Sequence, residues 1–183
     1  MPVMNDHMLS PFIEQWIATN DPLPTIQYQN EWPSPCVKAD SPQENDIVSW
    51  QPVPQSTQTD MFDRLSDALE IEVHPAIVEF YSGYWSDPLA AQSQEGELVL
   101  LQAWSPEDME RLRSNLIGHA LAKRKMKHPL TFFFACTEPD DGILSIANDD
   151  GSVWLEYPGK RPTRQIEESL PAFIQRLSPR PSA

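Results

Sequence analysis

Hydrophobic and polar positions are most clearly ordered between Gly83 and Gly118, where a strand pattern leads directly into a helix pattern. Residues 97–104 (ELVLLQAW) form a nearly continuous apolar run of strand length, too short to cross a membrane. Ser105 can cap the following helix through its hydroxyl, and Pro106 suits the first helical position. Two acidic residues come next, at the positive end of the helix dipole. The pattern predicts a central strand joined to a capped helix.

Along this helix, apolar residues recur at spacings of three and four, which indicates one face packed against a core. They are Met109, Leu112, Leu116, Ile117, Ala120 and Leu121. The basic run KRKMK at 123–127 falls in the last turns, where cations interact favourably with the carbonyl end of the dipole. We interpret this run as a structural feature of the helix end, in preference to a site for anionic headgroups.

The N-terminal part of the chain predicts helices separated by a long loop and a short strand. Pairs of apolar residues repeat every four positions from Met8 to Ile17, and proline-rich polar sequence follows. Aromatic side chains would hold that proline-rich loop against the body of the protein. The predicted elements are a helix over 8–20, a loop over 21–46, a strand over 47–50, a helix from a cap at Asp60 to about Ile71, and a helix from Pro75.

The C-terminal part predicts an antiparallel meander and a closing helix. Its predicted elements are strands over 130–136, 143–146 and 153–157, turns over 139–142 and 149–151, and a helix from about 163 to 177. Pro171 would break that helix in its interior, so the helix begins later or bends there. The order of elements predicts a single α+β domain over 1–183, with a mainly antiparallel sheet and helices packed around it.

The charge of the chain is strongly negative and unevenly distributed. The whole sequence has 27 acidic and 13 basic side chains, for a net charge of −14. Residues 1–110 carry 19 acidic and two basic side chains (−17), whereas 111–183 carry eight and 11 (+3). This balance argues against a nucleic-acid-binding protein and against attachment to anionic lipid by charge alone. Two interpretations remain, a solvated acidic surface and an acidic receptor for a basic partner.

The sequence lacks the spacing of known catalytic and metal sites. It contains no phosphate-binding GxxxxGK[ST] loop, no GxSxG nucleophile elbow and no pair of histidines four residues apart. Cys36 and Cys136 fit a reducing cytosol better than a disulfide framework. We expect no enzyme activity, no cofactor, no metal and no small-molecule substrate. The start of the chain does not have the pattern of a signal peptide, and no apolar run is long enough to span a membrane.

Two predicted loops combine aromatic and acidic side chains in a way that suits a basic peptide. One loop, at 84–97, connects a helix to the central strand, and the other is the loop at 21–46. Tryptophan can contribute burial and cation–π contact, and carboxylates can form ion pairs. The candidate partner-binding residues are Trp85, Asp87, Glu95 and Glu97 in one loop, and Glu31, Trp32 and Glu44 in the other. Because either tryptophan could instead belong to the core, the carboxylates are the firmer candidates.

Several motifs together resemble the Syd family, bacterial proteins that bind the translocon subunit SecY. The motifs are LLQAW (100–104) with the acidic helix start after it, NLIGHALAKRK (115–125), WPSPC (32–36), SWQPVPQ (49–55), and HPAI with FY (74–81). Each motif alone has little specificity, but their shared order and spacing extend the resemblance from about Trp16 to the final helix.

The resemblance implies a Syd-like domain with the fold of the broader Smi1/Knr4-like group. It also implies SecY as the partner, with its basic cytoplasmic loops held by an acidic face, and a role in regulating or quality-controlling the export channel. We expect a cytoplasmic protein loosely associated with the cytoplasmic face of the inner membrane, without direct lipid insertion. The alternative comes from the immunity proteins of the broader group, since an acidic surface would also suit a basic toxin nuclease.

Overall fold

The structure, a computed structural model, describes residues 6–138 and 141–181. Within these residues the helices are α1 (Ser10–Thr19), α2 (Met61–Leu69), α3 (Pro75–Ser82), α4 (Pro106–Met126) and α5 (Leu170–Gln175). The strands are β1 (Thr25–Gln27), β2 (Val37–Lys38), β3 (Ile47–Trp50), β4 (Val53–Pro54), β5 (Tyr84–Trp85), β6 (Leu89–Ser93), β7 (Gly96–Leu100), β8 (Thr131–Glu138), β9 (Ile143–Ala147), β10 (Val153–Glu156), β11 (Arg164–Glu167) and β12 (Ser178–Pro179).

The described strands form one large sheet and two small ones. The large sheet is antiparallel throughout, in the order β11-β10-β9-β8-β7-β6-β12. The small sheets have the orders β1-β3-β2 and β4-β5. Helix α4 packs against β8 of the large sheet, and α2 packs against α4. This arrangement confirms the predicted α+β class with a mainly antiparallel sheet.

The start of α4 agrees with the sequence prediction. The backbone of Ser105 is extended, and its hydroxyl accepts a hydrogen bond from the Asp108 amide at 3.1 Å. The predicted apolar stripe is buried at most of its positions, but Leu121 is 48 % exposed and its assignment to the core was wrong. Leu121 lies about 100° around the helix from the buried Ala120, which carries it past the edge of the stripe.

The segment predicted as a loop over 84–97 contains strands β5 and β6, so that prediction was wrong. Leu89 and Ala91 are buried on the same side of β6, and the strand pairs along its whole length with β7. Gly96 has a φ of +138° at the turn between the two strands, a conformation that favours glycine. The predicted strand over 97–104 is also shorter, because it leaves the sheet after Leu100.

The loop predicted over 21–46 contains two short strands, β1 and β2. Both pair with β3, for example through Ile26 with Val48 and through Val37 with Trp50. Strands of two or three residues carry almost no periodicity of their own, so their pairing with a distant strand decides them. The turn predicted at 139–142 falls partly on Pro139 and Asp140, which lie outside the described residues.

The final helix is shorter than predicted, and its expected first turn is strand β11. Arg164 pairs with Leu155 of β10, and the helix begins only at Leu170. Pro171 lies near the start of α5, where the missing amide hydrogen costs no helical hydrogen bond. The hydroxyl of Ser169 caps this helix by accepting from the Ala172 amide at 3.2 Å.

Two series of aromatic contacts hold the core together. Trp16 of α1 packs on Trp50 of β3 with ring centroids 5.0 Å apart, and Trp50 contacts Trp104 edge to face at 5.6 Å. A second series joins Phe80, Phe134 and Phe173, from α3, β8 and α5, at 5.6 and 5.8 Å. Burial of large aromatic side chains stabilises the fold, and these contacts connect elements that are far apart in the sequence.

A buried polar network lies between the second half of α4 and the sheet. Lys123 forms an ion pair with Glu156 of β10, and both side chains are almost completely buried. Thr131 donates to Glu156 at 2.7 Å, and Ser145 contacts the same carboxylate oxygen. Burial by itself would raise the pKa of Glu156, but the hydrogen bonds from Lys123, Ser145 and Thr131 outweigh it and lower the pKa. The first lysine of the basic run therefore belongs to the core.

We expect Lys123→Met to destabilise the protein by about 3–5 kcal/mol, because Glu156 would lose its buried cation. The double variant Lys123→Met/Glu156→Leu should recover part of this loss, because no charge remains buried. Chemical unfolding at neutral pH measures both. Since the pKa of Glu156 is lowered in the folded state, this contribution to stability is present above the ordinary glutamate pKa. It disappears as the pH falls through the lowered value.

The matched control is Lys125→Met on the exposed side of the same turn. A Lys123→Met variant as stable as this control would contradict a stabilising role for the buried pair.

Candidate partner-binding surface

An open cleft lies between the small N-terminal sheet and the start of α4. Residues of β1, of the loop after it, of the segment after β5 and of the first turns of α4 line this cleft. They are Ile26, Trp32, Asp87, Trp104, Asp108 and Arg111. The structure thus brings Trp32 and Asp87, two residues predicted separately from the sequence, to one site. We call it the Trp32–Asp87 cleft.

Hydrogen bonds fix the tryptophan side of the cleft. The hydroxyl of Ser34 donates to the Trp104 carbonyl at 2.7 Å, which ties the loop carrying Trp32 to the start of α4. The guanidinium carbon of Arg111 lies 5.4 Å from the centroid of the Trp32 ring. A guanidinium at this distance from an indole face makes a cation–π contact. The cleft therefore already holds one cation of the protein itself.

Of the two carboxylates in the cleft, Asp87 has the fewer hydrogen bonds and ion pairs within the protein. Its side chain is partly buried, and burial, followed by the nearby charge of Asp108, raises its pKa. Within the described residues, no group donates a hydrogen bond to this carboxylate or forms an ion pair with it. A desolvated carboxylate without a cation is unfavourable by itself, and an external cation would relieve it.

Asp108, in contrast, takes part in hydrogen bonds that stabilise the local structure. Its Oδ2 accepts from the Trp104 amide at 2.8 Å, and its own amide donates to the Ser105 hydroxyl. The reciprocal bonds fix the start of α4. Arg111 lies one turn further on, with Nη1 3.9 Å from Oδ1 of Asp108. Asp108 therefore adds negative charge to the cleft while serving as part of the helix start.

The acidic residues predicted beside Trp32 lie on the same side of the molecule. Glu31 precedes it in the loop and is exposed. Glu44 is exposed too, and its Oε2 accepts from the Asn30 amide at 2.7 Å, which joins two parts of the long loop. Both carboxylates therefore border the loop that carries Trp32.

Glu95 and Glu97 lie elsewhere. Asp87 precedes β6 and these two residues follow it, so the five-residue strand separates them by about 15 Å. Glu95 binds both terminal nitrogens of Arg176 at 2.9 Å, and these hydrogen bonds lower its pKa to about 2. Glu97 lies 3.4 Å from Nη1 of Arg180. Internal arginines thus already neutralise both predicted carboxylates.

Trp85 is a core residue that reaches the surface only at its edge. It is 9 % exposed and pairs with Val53 between β5 and β4. Its exposed edge lines another open cleft, beside the first turn of α2, where Arg64 bridges Asp60 and Glu110. Trp85 is therefore placed to support the fold more than to contact a partner.

Sequence reasoning did not select four residues that line the Trp32–Asp87 cleft. They are Ile26, Trp104, Asp108 and Arg111. The sequence did contain a usable signal. Asp108 and Arg111 follow Trp104 by four and seven residues, so all three lie near one side of the helix start. Their meeting with Asp87 and Trp32 depends on tertiary structure.

The described residues give little support to a metal site, a membrane-spanning helix or a nucleophilic Cys36. No group of three or more His, Cys, Asp and Glu side chains that could hold a metal ion occurs in residues 6–138 and 141–181. In that same part of the chain, no helix is both long and apolar enough to cross a bilayer. Cys36 is buried, and desolvation raises the pKa of its thiol to about 11, so the nucleophilic thiolate is disfavoured.

Comparison with known proteins gives one consistent family. The family described as "Syd protein (SUKH-2)" matches residues 5–179. Three curated proteins, each named "Protein Syd", are similar over most of the chain. The protein of Pseudoalteromonas atlantica is 44% identical over 84% of this chain and 83% of its own. Those of Shewanella baltica and Colwellia psychrerythraea are 40% and 36% identical, over 96% and 91% of this chain and 81% and 86% of their own.

We expect Asp87→Asn to stabilise the isolated protein by about 0.5–1 kcal/mol at neutral pH, because it removes a partly desolvated charge next to Asp108. The pKa of Asp87 is raised in the folded state, so its charge destabilises the folded protein at pH values above that raised pKa. As the pH falls, the carboxyl is protonated in the folded protein first, and the difference between variant and wild type should shrink. Thermal unfolding across this pH range measures the effect.

Asp40→Asn in the exposed loop is the control, and we expect it to leave the melting temperature nearly unchanged. Destabilisation by Asp87→Asn would show that the carboxylate supports the fold.

Proposed function

The chain belongs to the Syd family, and on that premise we propose that its acidic face binds the basic cytoplasmic loops of the translocon subunit SecY. The observation that carries the proposal is the carboxylate of Asp87, which is partly buried, lacks an internal cation and lies beside Trp32. By binding SecY, the protein would regulate or quality-control the export channel. It would act as a loosely attached peripheral protein on the cytoplasmic face of the inner membrane.

The cleft suits a lysine or arginine side chain of such a loop. Cytoplasmic loops of inner-membrane proteins are enriched in these residues, which supplies the matching charge. A cation entering the cleft would neutralise Asp87 and approach the face of Trp32, where it gains a cation–π contact. Asp108 adds a second negative charge within the same cleft.

Exposed carboxylates around the cleft would mainly raise the rate at which the partner associates. Glu31, Glu44 and Glu107 are exposed, and none forms an ion pair with a described cation. Long-range attraction of this kind raises association rates and selects against acidic partners, and salt screens it. Binding should therefore weaken as ionic strength rises.

The proposal predicts that Asp87→Asn and Trp32→Ala each weaken binding to SecY-containing membrane vesicles by about tenfold, because each removes one part of the cation site. Vesicle co-sedimentation at low and high salt measures the affinity, with vesicles lacking SecY as the reference. Asp40→Asn is the matched control, since Asp40 is exposed and does not line the cleft.

Full SecY-dependent binding by both folded variants would move the site away from this cleft. Tight binding to a basic toxin nuclease, without SecY-dependent binding to vesicles, would instead support an immunity function of the broader Smi1/Knr4-like kind.

Arg111 should compete with the cation of the partner, since it contacts Trp32 and lies near Asp108. Its side chain is 69 % exposed, so it can move into solvent when a partner enters. We expect Arg111→Ala to raise the affinity for a basic SecY loop peptide by roughly two- to fivefold, the scale of an exposed ion pair. Fluorescence titration of the peptide measures this.

Arg113→Ala, two residues further along α4, is the control, because Arg113 pairs with Glu110 and does not line the cleft. Weaker binding by Arg111→Ala would make this arginine a direct contact with the partner.

A further inference from the structure

The cations of the protein fall into two groups. Six basic side chains form ion pairs with described carboxylates, and they belong to Arg64, Arg111, Arg113, Lys123, Arg176 and Arg180. The remaining seven form none within the described residues. Five of these seven lie at the end of α4 or in the turn after β10, namely Arg124, Lys125, Lys127, Lys160 and Arg161. We call these five residues the basic pole.

Hydrogen bonds fix the two segments of the basic pole against each other. The buried Lys123 donates from Nζ to the Lys160 carbonyl at 3.3 Å. Arg161 donates from Nη2 to the Lys127 carbonyl at 3.3 Å. All five side chains of the pole are exposed. A protein with a net charge of −14 therefore presents a localised positive surface that its own carboxylates do not neutralise.

Exposed apolar side chains accompany these cations. Leu121 and Met126 are 48 % and 38 % exposed, and they are two of the three large apolar side chains that are exposed in the described part of the chain. Gly118 and Ala122 are exposed on the same outward side of α4. Leu121 precedes Lys125 by four residues, so the two lie next to each other on the helix surface.

We propose that the basic pole, with Leu121 and Met126, contacts the anionic lipid surface of a membrane, which reverses the interpretation of the run at 123–127 as only a structural feature of the helix end. Leu121 and Met126 lie about 140° apart, at the two edges of the exposed side of α4, with Lys125 between them, so this side offers both cations and apolar side chains to a headgroup layer. The cations would meet lipid phosphates, and the two apolar side chains would reach the boundary of the acyl region. No segment needs to enter the bilayer.

Other occupants fit this surface less well. Two copies of the chain facing each other through this surface would bring ten uncompensated cations together. Nucleic acid would meet cations here but would leave Leu121 and Met126 exposed to water, whereas a membrane offers an apolar region beside its phosphates.

The proposed lipid contact and the proposed SecY contact use different surfaces. Arg111 in the Trp32–Asp87 cleft and Lys127 in the pole are 16 residues apart along α4 and its end, or about 24 Å. A protein engaged through both surfaces would gain from two weak attachments at once. The lipid contact does not depend on the identity of the protein partner.

The test uses the full chain and protein-free vesicles. We expect it to co-sediment with vesicles rich in phosphatidylglycerol at low salt, weakly but measurably more than with vesicles of phosphatidylcholine. Lys125→Gln/Lys127→Gln should reduce this binding by about tenfold, since each cation near an anionic surface contributes separately. Leu121→Ser should reduce it without any change in charge.

Lys38→Gln is the matched control, because Lys38 is an unpaired lysine on β2, outside the pole. Thermal unfolding verifies that each variant is folded. Equal sedimentation with both lipids, or wild-type binding by the pole variants, would overturn the proposal. So would a shift in oligomeric state caused by the pole variants, or binding to a DNA duplex in place of vesicles.

The Asp87→Asn variant separates this inference from the SecY proposal. We expect it to bind phosphatidylglycerol vesicles as the wild type does and to lose only the SecY-dependent part. Loss of lipid binding in Asp87→Asn would contradict the assignment of lipid contact to the basic pole.

Discussion

The contact of Trp50 with Trp16 and Trp104 is the interaction on which the candidate site most depends. It joins α1, the small N-terminal sheet and the segment that leads into α4 through ring centroids 5.0 and 5.6 Å apart. The strands of that small sheet have two to four residues, too few to be stable without packing against a larger body. Because Trp50 anchors the sheet beside the start of α4, the loop carrying Trp32 lies next to Asp87.

Ion pairs within the protein neutralise some of its carboxylates and leave Asp87 without a cation. Arg176 and Arg180 neutralise Glu95 and Glu97, and Lys123 neutralises Glu156. The first half of the chain contributes only two basic side chains itself, and five of the unpaired cations lie in the basic pole, at the far end of α4 from the cleft. Asp87 lies partly buried among them without a cation. Sites that bind partners are often less favourable for the isolated protein, because the partner supplies the missing interaction.

Helix α4 connects the proposed surfaces. Its first turn lines the Trp32–Asp87 cleft, its middle packs on the sheet, and its end carries the basic pole. The buried pair of Lys123 and Glu156 fixes the second half of the helix to β10. An ion pair of this kind has a strict geometry, whereas apolar packing alone would tolerate small shifts of the helix. Because both surfaces include residues of α4, the length of this helix sets the distance between them.

The sequence by itself determined the elements whose signals are local. Ser105 and Pro106 define the start of α4, and Gly151, with a φ of +79°, occupies the hairpin turn predicted before β10. The α+β class follows from such elements, since capping and turn chemistry act over a few residues. The family resemblance was also recognisable from motifs in order along the chain.

Only the tertiary structure decided the short strands and the composition of the site. Strand β6 lies between its neighbour β7 and β12 from the end of the chain, and β11 is the edge strand beside β10; the segments that contain them were predicted as a loop and as part of a helix. Glu95 looked available for a partner until Arg176, 81 residues away, was placed beside it. Asp87 and Trp32 meet for the same reason, because contacts across long sequence separations depend on packing that local patterns do not encode.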